Sequence, residues 1–359
     1  MKRTLVLTTV LVLVLSLLAG CAGTTVVIQN CTCPTGGNTP NTPTTPAPTK
    51  PVTQGSVKTG LAVFTGVSDS ASATAEKEGA IKFDITIAAV LVDDKGVIVD
   101  CKIDSVPATV KIDATGKILS DLTAAVPTKN EMGADYGMVA WGGAIAEWDA
   151  QVAALCNYAI GKTVEELKNG AIDESGKAPA GSDLASSATI YLAGYVSAIE
   201  AAVQNAQHLG AQAGDKLNLV TINAIASSTA ATAEKAGNAQ LDSNISVVTS
   251  KDGVITSCII DAVQAKIGFD TTGNITSDLS APIQTKNELG EKYGMVAWGG
   301  AIAEWNQQAA AFAAYVTGKT AAQVAGIAVT EGKPADSDLS TSVTIKIGDF
   351  QDLIAKALA

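Results

Sequence analysis

Apolar and polar residues alternate from Ile81 to Val92 and again from Leu241 to Val248, a period of two that predicts strands with one buried face. Each run is preceded by an apolar strand candidate (Leu61 to Val67; Leu217 to Ala226) and a polar Thr-Ala-Glu-Lys loop (Thr74 to Lys77; Thr232 to Lys235). Each is followed by a turn, Asp94-Lys95-Gly96 or Lys251-Asp252-Gly253, and by β-branched residues through Ile103 or Ile260. Turn chemistry between such flanks predicts antiparallel hairpins. The period then changes. Trp141, Ile145, Trp148, Val152 and Leu155 fall at helical spacing, as do Trp298, Ile302, Trp305, Ala309 and Phe312, which predicts one long amphipathic helix per half with both tryptophans on its buried face. Thr128-x-x-Glu131 and Thr285-x-x-Glu288 match the capping box of a helix start. Gly161 and Gly318 stand where a helix C-cap belongs, and Thr163-x-x-Glu166 or Thr320-x-x-Gln323 begins a short second helix. A closing strand and terminal helix are expected at Ser187 to Leu192 and Tyr195 onward, and at Ser342 to Ile347 and Phe350 to Leu358.

The two patterns are copies. Tyr136 to Trp148 returns unchanged as Tyr293 to Trp305, and Cys101, Asp113-Ala-Thr-Gly116 and Gly161-Lys-Thr163 recur as Cys258, Asp270-Thr-Thr-Gly273 and Gly318-Lys-Thr320. So long a period describes domains, not a solenoid. The expected organisation is a leader at 1–21, a tether at 22–57, and two repeats at 58–210 and 211–359. The fold class is α+β, as two tandem homologous domains, each an antiparallel sheet packed by the long helix. A site in one copy is expected in the other. Val203 to Gly214, with the only histidine, His208, reads as a polar linker with that histidine exposed.

Composition adds an address. Lys2 and Arg3 precede an apolar run, Leu5 to Leu18, too short to span comfortably, and Leu18-Ala19-Gly20-Cys21 resembles a bacterial lipobox. That resemblance implies cleavage before Cys21, diacylglycerol on its thiol, a further acyl chain on its amine, and an extracytoplasmic, membrane-anchored protein. Pro34 to Pro51 is dense in Pro and Thr, the composition of an extended tether. The formal charge is −11 and becomes more negative without the leader, so nucleic acid and anionic headgroups are poor partners. Arg3 is the only arginine and His208 the only histidine, which excludes a duplicated histidine triad or a clustered histidine metal site. One carboxylate in each Asp-x-Thr-Gly turn is too few oxygen ligands for calcium. Gly-Lys-Thr is not a phosphate loop, because Cys156 and Ala313 occupy the position of its earlier glycine. Cys101, Cys156 and Cys258 read as buried small hydrophobes. Cys31 and Cys33 could form a small ring or cross-link chains.

Asp183-Leu-Ala-Ser186-Ser187-Ala188-Thr189, and Asp338-Leu-Ser-Thr341-Ser342-Val343-Thr344, resemble the Asp-x-x-(Ser/Thr)-Gly-Ala-Thr segment of the FMN-binding domain family. In that family of extracytoplasmic electron-transfer domains, a flavin transferase esterifies FMN phosphate to the last threonine. The resemblance implies covalent FMN on Thr189 and Thr344, with Asp183, Asp338, Ser186 and Thr341 as the surrounding motif, redox partners on either side, and a carrier rather than a stand-alone enzyme. Lys129 and Lys286, or Lys162 and Lys319, could neutralise the phosphate. The family's glycine is replaced by Ser187 and Ser342, and its alanine by Val343 in the second copy. The alternative is a non-catalytic surface lipoprotein that binds a small ligand or envelope partner through the Trp/Tyr region. A hydrolase has little support, with no histidine base within either repeat and no paired-carboxylate signature.

Overall fold

The computed structural model describes residues 55–359, which belong to one compact unit. Cys21, Cys31, Cys33 and most of the tether lie outside the described residues. In the first repeat, β1 (Lys58–Gly66), β2 (Gly79–Val92) and β3 (Ile98–Ile112) form an antiparallel meander in that order, and β4 (Lys216–Ala224), β5 (Gly237–Lys251) and β6 (Val254–Phe269) repeat it. Both hairpin turns form where expected, each with a register shift beside it, at Leu91/Val92 and Thr249/Ser250.

Helices follow each meander. The first repeat has α1 (Lys129–Met132), α2 (Met138–Gly142), α3 (Trp148–Ala159), α4 (Val164–Ala171) and α5 (Ala193–Gln204). The second has α6 (Lys286–Leu289), α7 (Met295–Gly299), α8 (Trp305–Val316) and α9 (Ala321–Ala325). A two-residue ladder, β7 (Val329–Thr330) with β8 (Lys333–Pro334), then leads to α10 (Ser337–Ser340) and α11 (Gly348–Ala357). All four expected capping boxes form, at Thr128, Thr163, Thr285 and Thr320. Gly161 and Gly318 take positive φ after α3 and α8, and their amides return to the carbonyls of Ile98 and Ile255.

The sheets are covered on both faces. Along β2, Ile81, Phe83, Ile85, Ile87, Ala89 and Leu91 enter one cluster while Ala88, Val90 and Val92 enter another. The second cluster packs under α3 and α5, and its counterpart under α8 and α11. The first is shared: it continues into Leu241, Ile245, Val247, Ala265, Ile267 and Phe269 of the other repeat. The chain is therefore mixed α/β, with the two three-stranded sheets facing each other across one core and helices on the outer sides. Contacts across this core are reciprocal. The Ala73 amide donates to Gly273 O and the Ala231 amide to Gly116 O, both at 2.9 Å. Each Asp-x-Thr-Gly turn thus abuts the other repeat, and its aspartate is occupied locally: the Asp113 carboxylate accepts from the Thr115 and Lys117 amides and the Thr115 hydroxyl.

Three expectations are corrected. The long helix does not reach back to Trp141. Gly143 adopts a left-handed conformation (φ 62°), α2 ends there, and the chain reverses before α3 starts at Trp148, so Trp141 and Ile145 are exposed. Trp298 and Ile302 behave identically. No strand forms at 187–192 or 342–347; both are turns leading into α5 and α11. His208 is largely covered: its Nε2 lies 2.9 Å from Asp94 Oδ1 and its Nδ1 3.2 Å from Ser56 Oγ. The segment around it is not a free linker, because Gln207 and Gln212 bridge Thr59 and Ser56 and cover the open edge of β1. Cys101, Cys156 and Cys258 are buried free thiols, as expected.

Candidate ligand pocket

A cavity of about 420 Å³ opens on the helix side of the first sheet. The sheet supplies Phe64 and Thr86, cross-strand neighbours on β1 and β2. Lys129 comes from α1, Tyr136 from the turn after it, Met138 from the first residue of α2, and Trp148 from the first residue of α3. Ile190, Tyr191, Gly194 and Tyr195 complete the wall at the start of α5. The volume lies within the roughly 300–1,000 Å³ of small-molecule sites, and the lining is aromatic with one cation.

Lys129 is almost wholly buried. Its ammonium lies 5.3 Å from the Tyr136 ring centre and 5.2 Å from that of Trp148, a desolvated cation between two π faces. The nearest carboxylate, on Asp84, is 3.8 Å away, beyond hydrogen-bond distance. Lys129 thus lines the cavity and pairs with Asp84 as an ion pair without a direct hydrogen bond. Trp148 Nε1 donates to the Tyr195 hydroxyl at 2.9 Å, the rings meeting edge to face. Burial raises the Tyr195 pKa above its ordinary value, so the phenol stays neutral at physiological pH. The N-terminal end of α5 at Gly194 and Tyr195 adds the positive end of a helix dipole.

The turn presenting Lys129 is braced by a buried acid. Asp104 Oδ1 accepts from the Asn130 amide, and Asn130 Nδ2 donates to Ile103 O. Asp261 and Asn287 repeat the arrangement. Burial raises the pKa of Asp104, and that of Asp261 to about 6 from 3.8, although backbone and threonine hydrogen bonds oppose it. The folded protein holds this proton more tightly than the unfolded chain. Stability from Asp261 is thus complete below about pH 4 and lost as pH rises through about 6. At about 1.36 kcal/mol per pKa unit the effect is on the order of 3 kcal/mol. Urea midpoints should therefore fall between pH 4 and 6, and Asp261→Asn should flatten that slope.

The flavin-motif residues sit beside the pocket without lining it. Thr189 is exposed; its amide donates to Gln151 Oε1 at 2.8 Å and its hydroxyl to the same atom at 3.4 Å. Thr344 and Gln308 repeat this at 2.8 and 3.2 Å. Asp183 begins a single 3-10 turn without a side-chain cap, and Ser186 Oγ donates to Asp183 O. Neither motif aspartate caps: in the second repeat Asp336 takes that role, while Thr341 Oγ1 donates to Asp338 O. Of the candidate lysines, Lys129 faces the cavity. Lys162 and Lys319 instead lie over the rings of Tyr158 and Tyr315. Gln151 and Gln308, fully buried, were not singled out from the sequence. Their signal was a glutamine retained in both copies among the buried positions of an apolar helix.

The copies differ at the pocket. Lys286 keeps its place near Tyr293 and Trp305, at 5.0 and 4.9 Å, but Phe350 replaces Tyr195 and Asp349 replaces Gly194. Asp349 Oδ2 accepts from Asn244 Nδ2 at 3.0 Å, so a carboxylate stands where the first repeat has none. The two copies therefore share the lysine between two rings but differ in the residues at the start of α5 and α11. Comparison with family models, curated proteins and solved structures finds no match to this chain.

Proposed function

We propose that this chain is a lipid-anchored extracytoplasmic protein, built from two tandem homologous α+β units, that binds a flat aromatic molecule bearing an anionic group in the pocket of its first repeat. The buried Lys129 ammonium, set between two rings and lacking a hydrogen-bonded carboxylate, carries this reading. Stacking surfaces suit a ring system and the lysine suits a phosphate or carboxylate. The second repeat, with Asp349, is a scaffold half rather than a second anion site.

FMN fits this description and is the ligand that the Asp183–Thr189 resemblance supplies. Two observations favour attachment at Thr189. Its side chain is exposed one residue before Ile190 enters the pocket wall. Ser187, at the family's glycine position, has φ −118° and ψ −21°, a conformation open to serine, so the replacement carries no backbone strain. When bound, the isoalloxazine would supply the electron transfer. The chain's residues would hold the phosphate, enclose the ring and keep the cofactor from diffusing away.

Intact mass and visible absorbance of protein from its own host test attachment, and Thr189→Ala should abolish any flavin mass. Titration of the flavin-free protein with FMN, followed by tryptophan fluorescence, tests the pocket itself. Lys129→Ala should weaken binding about 10–100-fold, from the ~1.5–3 kcal/mol of a charged hydrogen bond. Lys286→Ala should leave it unchanged. Equal effects of the two lysines would overturn the assignment to the first repeat.

A further inference from the structure

The segment repeated without change, Tyr136–Trp148 and Tyr293–Trp305, builds a projecting knuckle in each half. Trp141 is 90% exposed and Trp298 91%, and their companions Val139, Ile145, Val296 and Ile302 are each about half exposed. These side chains are not loosely displayed. Glu147 turns back so that its carboxylate accepts from the Met138 amide at 2.8 Å and the Val139 amide at 3.1 Å, capping α2 from outside. Glu304 does the same for α7. Gly143 and Ala144 close the other end onto Val139 O and Met138 O. The pyrrole edge of Trp141 passes close to Gly137, where a Cβ would fall 2.2 Å from Trp Cδ1.

We propose that a knuckle of this kind docks on a lipid bilayer, placing tryptophan and its aliphatic neighbours at the boundary between headgroups and acyl chains. The side-chain chemistry selects this occupant. From Gly137 to Ala146, and from Gly294 to Ala303, the only polar side-chain group is the indole N–H. A sugar-binding platform would set hydroxyl, amide or carboxylate groups beside the ring, and an anion site would set cations there; neither ten-residue segment carries such a side chain. Indole with branched aliphatics suits an interface that is apolar on one side and wet on the other. The nearby carboxylate of Glu147 is already engaged with two amides, so it presents no free charge to headgroups. Rigid presentation limits the ordering entropy of insertion.

This inference rests on the lipoprotein reading. Residues 22–54 connect Cys21 to the described body and can span at most roughly 120 Å, so an anchored body stays within reach of the membrane. An acidic chain disfavours anionic surfaces, so the docking is to zwitterionic lipid. A lipid anchor and an apolar knuckle together supply two membrane signals.

The test uses the mature protein on phosphatidylcholine vesicles whose acyl chains carry bromine, a short-range tryptophan quencher. Tryptophan emission should fall relative to plain vesicles, and Trp141→Phe/Trp298→Phe should abolish the difference, leaving Trp148 and Trp305 unquenched. Both sites are exposed, so the thermal midpoint should not change. Vesicle-bound protein whose emission ignores bromine overturns the proposal while leaving the anchor intact. So does a blue shift produced by protein concentration alone, which points to a second copy, or by cell-wall glycan alone. Double variant in the supernatant, with wild type quenched on the vesicle, supports the knuckles and overturns the anchor instead. Wild type in the supernatant overturns both.

Discussion

Gln151→Leu should lower the unfolding free energy by about 3 kcal/mol, with nearly the same loss for Gln308→Leu. The substitution keeps the side-chain volume and removes only hydrogen bonds. Gln151 Nε2 donates to Ala146 O at 2.8 Å, and its Oε1 accepts from the Thr189 and Ile190 amides. One carbonyl and two amides lose their partner, at about 1–3 kcal/mol for each group left buried and unsatisfied. Partial solvent access at Thr189 sets the total near the low end. Urea denaturation measures the loss, and hydrogen exchange should accelerate at Thr189 and Ile190. Because this glutamine ties the turn before α5 to the end of the Trp141 knuckle, the same variant should also weaken FMN binding. An effect below about 1 kcal/mol would mean that water replaces the bracket.

Gly273→Ala should be comparably damaging, for a reason that lies in the other repeat. Position 273 has φ +72°, and a Cβ there would stand 2.5 Å from Asp113 O and 2.7 Å from Ala73 Cβ. The left-handed conformation costs alanine about 1–2 kcal/mol, and moving a backbone carbonyl across the shared core raises the expected loss to about 3 kcal/mol or more. Gly96→Ala is the control: its φ is +79° and nothing stands within 4 Å of the added carbon, so only the conformational part remains. Both variants should unfold in a single transition, since the shared cluster joins the two halves.

Local chemistry was legible in the chain. Capping boxes, hairpin turns and the strand runs depend on neighbours in sequence, and they formed where their residues stood. The failures come from competition between equally good local patterns. Trp141, Ile145 and Trp148 fit a helical stripe, but Gly142-Gly143 permits the left-handed exit and Glu147 stabilises a separate helix start. The 187–192 segment has strand composition, yet Gln151 takes two of its amides and the open edge of β1 is covered by residues after α5. The shared core had a visible sign: Ala88 to Val92 is apolar at every position, the mark of a strand covered on both faces. The pocket was half legible. Lys129 could be named, and Thr189 beside it, but the asymmetry depends on Gly194 against Asp349, which only the alignment of α5 with α11 exposes.

The reciprocal bonds of Ala73 with Gly273 and Ala231 with Gly116 carry a further consequence. Each half offers the same patch to its twin, which is the geometry of an isologous homodimer written into one polypeptide. Fusion replaces a concentration-dependent encounter with an intramolecular one, and it frees the halves to diverge at the ligand end while the dyad surface stays matched. Separately produced halves should therefore associate with each other, and analytical ultracentrifugation of the mixture would detect it.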